Sequence, residues 1–155
     1  MSFEEILFDR YKGKRVLLDS NLLLLLLIGS FSRDLISSCQ RTSAYTPRHY
    51  EVLVSLLLRF DTVATTPHVL TEVSNLAGGS LHGQTKLAWF AYFAQEISKL
   101  DEIFLEGKAL AQETAFVAFG ITDVALKITA EDTLLLTEDR RLAGYLRSNE
   151  LPALH

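Results

Sequence analysis

The stretch "VLLDSNLLLLLLIGS", Val16 to Ser30, decides how the chain is read. An apolar triplet, Val16 to Leu18, stops at Asp19, and seven apolar residues, Leu22 to Ile28, then run without interruption. Seven helical residues rise only about 10 Å against a hydrocarbon core of roughly 30 Å, too little to span a bilayer. Extending the segment back to Val16 would put Asp19 in lipid at a cost of about 2.5 kcal/mol or more. Lys12, Lys14 and Arg15 precede the run as in a signal peptide, but they lie far from the start, and Asp19 splits the apolar region. The expectation is a soluble, cytoplasmic protein with no membrane partner. Arg15 to Leu18 reads as a strand buried on both faces, and the leucines read as a buried helix, since Leu favours helix and a strand would be richer in Val and Ile. Ser20 or Asn21 is expected to cap that helix and Gly29 to stop it.

Working outward, 155 residues with 48% hydrophobic content fit one domain with a well-filled core. Residues 1–155 are expected to form it, with 1–12 an extra N-terminal helix opened by the capping box Ser2-Phe3-Glu4-Glu5. The single Cys39 excludes an internal disulfide, and a net charge of −4 excludes blanket attraction to polyanions. A nucleic-acid partner would therefore need a local basic group or bridging cations.

Pro47 is expected to begin a helix with Val52, Leu53, Leu56 and Leu57 on its apolar face, after a polar loop from Ser37 to Thr46. A strand at 61–65 leads to Thr66-Pro67, a cap and first-turn proline, and a helix through Ala77 stopped by Gly78-Gly79. A long helix over 84–99 carries Leu87, Phe90, Ala91, Ala94 and Ile97 on one side. A short strand at 103–105, a helix over 108–119 broken by Gly120, and a further helix from Thr122 to about Ala130 follow. A strand at 133–136, a helix over 138–147 and a strand at 151–154 complete the order. Strands alternating with helices predict an α/β fold: a three-layer α/β/α sandwich around a mostly parallel sheet of about five short strands.

In such a sheet every strand delivers the chain to one edge, and ligands bind outside the carboxyl ends. Asp19 follows the first strand, Asp139 follows Leu134-Leu135-Leu136, Glu72 lies on the second turn after the 61–65 strand, and Asp123 stands at a helix start. Each alone has an ordinary explanation, since an acid at a helix start satisfies free N–H groups and complements the dipole. Together they are different: four converging carboxylates repel and raise one another's pKa unless a cation neutralises them. Hard oxygen donors in that number suit Mg²⁺ or Mn²⁺.

The spacing of "VLLDSN" (16–21), "TPHVLTEVSNLAG" (66–78), "FGITDVAL" (119–126) and "LLTEDRRLAGYL" (135–146) resembles the PIN-domain family of metal-dependent nucleases over nearly the whole chain. The resemblance implies an acidic metal site of Asp19, Glu72, Asp123 and Asp139, supported by Asn21, Thr122 and Thr137. It further implies a ribonuclease acting through Mg²⁺ or Mn²⁺ on RNA, with single-stranded DNA as the alternative substrate. Small members of that family are often VapC-like toxins held by an antitoxin protein, and they tend to form homodimers. Arg140, His68 and Arg48 are the expected substrate-binding residues, Arg140 first because it adjoins Asp139, with Lys86 and Arg141 as further candidate phosphate contacts. The competing class is a non-catalytic interaction module that keeps the acidic pocket for metal or a partner. A receiver or haloacid-type hydrolase fits less well, because Asp19-Ser20-Asn21 lacks a second acid.

Overall fold

The computed structural model describes residues 1–155. Helix α1 (Phe3–Tyr11) starts at the expected capping box: Ser2 Oγ accepts from the Glu5 N–H at 3.2 Å, and Glu5 accepts from the Ser2 N–H at 2.6 Å. Strand β1 (Arg15–Leu18) follows, with Val16, Leu17 and Leu18 fully buried. Helix α2 (Ser20–Phe31) then buries leucines on nearly every side, as an apolar helix in a domain centre must.

Helices α3 (Leu35–Ser38) and α4 (Pro47–Leu57) lead to β2 (Thr62–Thr65). Helices α5 (Pro67–Ser80) and α6 (Gly83–Ile97) lead to β3 (Asp101–Glu102), and α7 (Gly107–Ala111) and α8 (Phe116–Thr129) to β4 (Leu134–Leu136). Helix α9 (Arg140–Ser148) and β5 (Ala153–Leu154) finish the chain. All strand pairs are parallel, in the order β3-β2-β1-β4-β5, so the architecture is the α/β/α sandwich. Leu17 pairs with Leu135 and Leu18 with Leu136 in the middle of one continuous apolar core. From β1 the chain steps outward to β2 and β3, then returns to β4 on the other side of β1. The order therefore reverses between β1 and β4, and loops leaving these two strands part toward opposite faces, opening a crevice.

Several local expectations are corrected. Gly29 does not end α2; it lies inside the helix, where a Cβ would come within 2.3 Å of the Tyr50 ring, so its smallness lets α2 and α4 approach. Gly78 and Gly79 likewise sit within α5, whose last turn is carried to Ser80 by packing rather than propensity. On α6 the buried residues are Trp89 and Phe93, while Leu87 is 66% exposed. Trp89 is the anchor, fully buried with its indole N–H directed at the Leu27 carbonyl of α2 at 3.4 Å. Val52 is exposed, whereas Leu53 is buried as expected and Tyr50 is buried with it on α4.

The helix expected over 108–119 is interrupted between α7 and α8, and β3 lies two residues earlier than expected, with the Ile103 N–H still bonded to Thr65 at 2.8 Å. The polar loop opens within α3 and is pinned by buried Thr42, whose hydroxyl donates to the Ile36 carbonyl at 2.8 Å. No helix is long and apolar enough to cross a membrane.

Candidate acidic site at the strand crossover

Asp19, Glu72, Asp123 and Asp139 all line one cleft of about 310 Å³ at the carboxyl edge of the sheet, where the strand order reverses. Asn21, Thr122 and Thr137 line it as well. The four acids come from four separate segments. Asp19 is the first residue beyond β1 and the N-cap of α2, and Asp139 caps α9 three residues beyond β4. Glu72 projects from α5, and Asp123 stands in the first turn after Gly120 breaks α8. Gly120 has φ +80° and ψ 178°, a conformation that glycine adopts without strain, and it separates two helical pieces that would otherwise continue in line.

Asp19 both caps α2 and lines the cleft. Its Oδ1 accepts from the Leu22 N–H at 2.9 Å, and its Oδ2 accepts from the Thr137 hydroxyl and the Glu138 N–H, the latter at 2.9 Å. A carboxylate has about four lone-pair positions, so three are occupied and one, on Oδ1, remains. The side chain is only 6% exposed, and burial pushes its carboxyl upward against the opposing pull of those three donors. Thr137 couples two of the acids: it donates to Asp19 while its oxygen accepts the Asp139 N–H at 3.0 Å. Asp139 Oδ1 takes the Arg141 and Leu142 N–H groups at 2.9 and 3.0 Å, leaving Oδ2 without a donor.

Asp123 reports the electrostatics of the cluster. Burial first, then the charges of Asp139, Glu72 and Asp19, raise its carboxyl to about 6, and Arg141 opposes the rise. None of the four acids makes an ion pair within the chain. As the side chains stand, no group of three or more His, Cys, Asp or Glu residues is arranged to hold a metal ion. Ser20 adds a second signal: it lines the same cleft at 5% exposure, and its buried hydroxyl has no hydrogen-bond partner. A buried orphan donor costs about 1–3 kcal/mol, so a polar ligand in the cleft would relieve it.

The expected substrate contacts are not gathered here. Arg140, His68 and Arg48 do not line the cleft. Arg48 pairs weakly with Glu51 at 3.8 Å on the exposed surface of α4, and His68 is half-buried with Nδ1 unpartnered. The cation beside the acids is Arg141, whose guanidinium stacks on Phe119 of the cleft wall. The sequence shows the two arginines side by side; only the tertiary approach of α8 to α9 distinguishes them.

A larger cavity of about 1080 Å³ lies between α1, α2 and α4 and shares Thr137 with the acidic cleft. Its lining mixes apolar side chains such as Phe8, Leu25 and Leu53 with scattered charge. There the Tyr45 hydroxyl is pushed up to about 12 by burial and by Glu138 and Asp19, so it stays protonated. The chain matches no protein-family model and no curated protein.

Proposed function

We propose that this chain is a divalent-metal-dependent nuclease of the PIN-domain kind, an endonuclease acting on RNA phosphodiesters. What carries the reading is the convergence of Asp19, Glu72, Asp123 and Asp139 on one cleft at the strand crossover. The donor set fits the metal: hard carboxylate oxygens that make no ion pair within the chain, one carboxyl raised to about 6 by burial and then by the other three, beside an orphan hydroxyl at Ser20. Bound Mg²⁺ or Mn²⁺ would supply an activated water and stabilisation of the leaving oxygen. The four acids would hold the ion, Thr137 fixes the orientation of Asp19, and the rigid β1–α2 and β4–α9 junctions hold two of the ligands in place. The resemblance extends the proposal to a toxin's role, with an antitoxin as partner and a homodimer as assembly.

Mn²⁺-dependent cleavage of single-stranded RNA tests this. Asp123→Asn should abolish cleavage while circular dichroism stays unchanged; full activity in that variant refutes the assignment. Asp19→Asn should do the same, but it also disturbs three hydrogen bonds, so Asp123 is the cleaner position. A second reading is a non-catalytic module that binds metal or a partner through the same acidic cleft. Mn²⁺ binding without cleavage across RNA and single-stranded DNA panels would establish that reading instead.

A further inference from the structure

Arg141 lies beside the acidic cleft rather than in its lining, near enough for its charge to act on Asp123, and pairs with none of the four carboxylates. Its position is nevertheless fixed at three points. Its backbone N–H donates to Asp139 at 2.9 Å, its Nη2 donates to the Ala118 carbonyl at 3.0 Å, and its Cζ lies 4.7 Å from the centroid of the Phe119 ring. Both Asp139 and Phe119 line the acidic cleft, so the arm runs along the rim from α9 to the segment just before Gly120. Phe119 is itself held from another side by Tyr145, at 4.8 Å between centroids.

A guanidinium whose task was to neutralise the acids would fold onto one of them, because paired bonds to a carboxylate are the strongest it makes. Here a carbonyl and an aromatic face hold it away from the cluster. Of five N–H donors one is used within the chain, and the side chain is exposed. A planar fork, already oriented and with donors free, loses little entropy when it takes an anion. The anion cannot be drawn in by the protein as a whole, whose net charge is −4. A local cation at the rim supplies what the overall charge withholds.

We propose that Arg141 is the substrate-binding residue that grips the non-bridging oxygens of an RNA backbone phosphate at the rim of the acidic cleft, with Phe119 and the Ala118 carbonyl as its brace. The identity of the anion rests on the nuclease reading. A cleft of about 310 Å³ walled by several helices admits a strand that can bend into it, which favours single-stranded RNA over a duplex.

The test uses the full chain and a fluorescein-labelled single-stranded RNA 12-mer. Its dissociation constant is followed by anisotropy in Ca²⁺ as a function of salt, and kcat and KM are measured in Mn²⁺. Arg141→Ala should weaken RNA binding by about tenfold or more and lower the slope of log affinity against log salt by about 0.7, the share of one phosphate contact on a single strand. KM should rise while kcat stays within about threefold, the signature of lost binding common to ground and transition states. Arg141→Lys keeps the charge without the fork and should fall between, and Arg10→Ala on α1 should bind as wild type. Wild-type affinity and salt slope in a folded Arg141→Ala overturn the proposal, as does wild-type protein that binds no RNA in Ca²⁺. If the wild type binds RNA without cleaving it in Mn²⁺, the nuclease reading fails alone, and the anisotropy series still decides the role of Arg141.

Discussion

Removing the Thr137 hydroxyl with its shape preserved tests how the site is built into the fold. Thr137 is 1% exposed and its Oγ1 makes two hydrogen bonds, one donated to Asp19 Oδ2 and one accepted from the Asp139 N–H. Thr137→Val leaves the volume filled but deletes both. The bond to a charged acceptor contributes about 1.5–3 kcal/mol, and leaving a part-buried N–H unsatisfied costs about 1–3 kcal/mol. Part of this is offset by the extra buried methyl, so a net loss of about 3 kcal/mol is expected. In a domain of this size that lowers Tm by about 6–12 °C. Thr137→Ser keeps the hydroxyl and loses one methyl, a loss of about 1 kcal/mol. Thermal melts of the three proteins at pH 7 without added metal make the comparison. The reasoning is refuted if Val melts within about 2 °C of wild type, or if Ser is as damaging as Val.

Two further outcomes follow from the same geometry. Asp123 has its carboxyl raised from 3.8 to about 6, so its contribution to stability is complete below about pH 4 and is lost as pH rises through 6. In metal-free protein, Asp123→Asn should therefore gain Tm relative to wild type as pH goes from 4 to 7.5; melts across that range showing a gain that shrinks would contradict the sign. Two glycines inside helices should respond oppositely to alanine. Gly29→Ala drives a Cβ to 2.3 Å from the Tyr50 ring and should destabilise by about 1–3 kcal/mol, whereas Gly79→Ala meets nothing within 4 Å and should stabilise by about 0.5–1 kcal/mol, both read by urea denaturation.

What the sequence shows and hides follows from the range of the forces involved. The capping box at Ser2, the β1 triplet and the Thr66-Pro67 start are local chemistry, and the structure reproduces each of them. Asp19, Glu72 and Asp139 are legible because a parallel sheet sends every strand to one edge, whatever the strand order, whereas Asp123 is legible only as the helix start that Gly120 marks. The order itself, with its reversal between β1 and β4, depends on contacts far apart in the chain, and nothing in the local pattern encodes it.

The same limit explains the glycines. Gly29 and Gly78-Gly79 look like helix stops by propensity; at Gly29 close packing on Tyr50 outweighs a cost of about 1 kcal/mol, and α5 runs past exposed Gly79 to Ser80 because Ala77 and Leu81 on either side are buried. On α6 the apolar residues surround the helix, so periodicity alone could not choose Trp89 and Phe93 over Leu87. Adjacency to Asp139 ranks Arg140 above Arg141 in the sequence; what singles out Arg141 is Phe119, twenty-two residues earlier in the chain and its neighbour only in space.

A crystal soaked in Mn²⁺, with anomalous difference density calculated at the manganese edge, tests the central claim most directly. The expected result is a peak in the cleft within about 2.5 Å of oxygens from at least two of Asp19, Glu72, Asp123 and Asp139, with the Asp123 carboxylate turned toward it. A cleft without that peak at millimolar Mn²⁺, its four carboxylates still apart, would contradict the account.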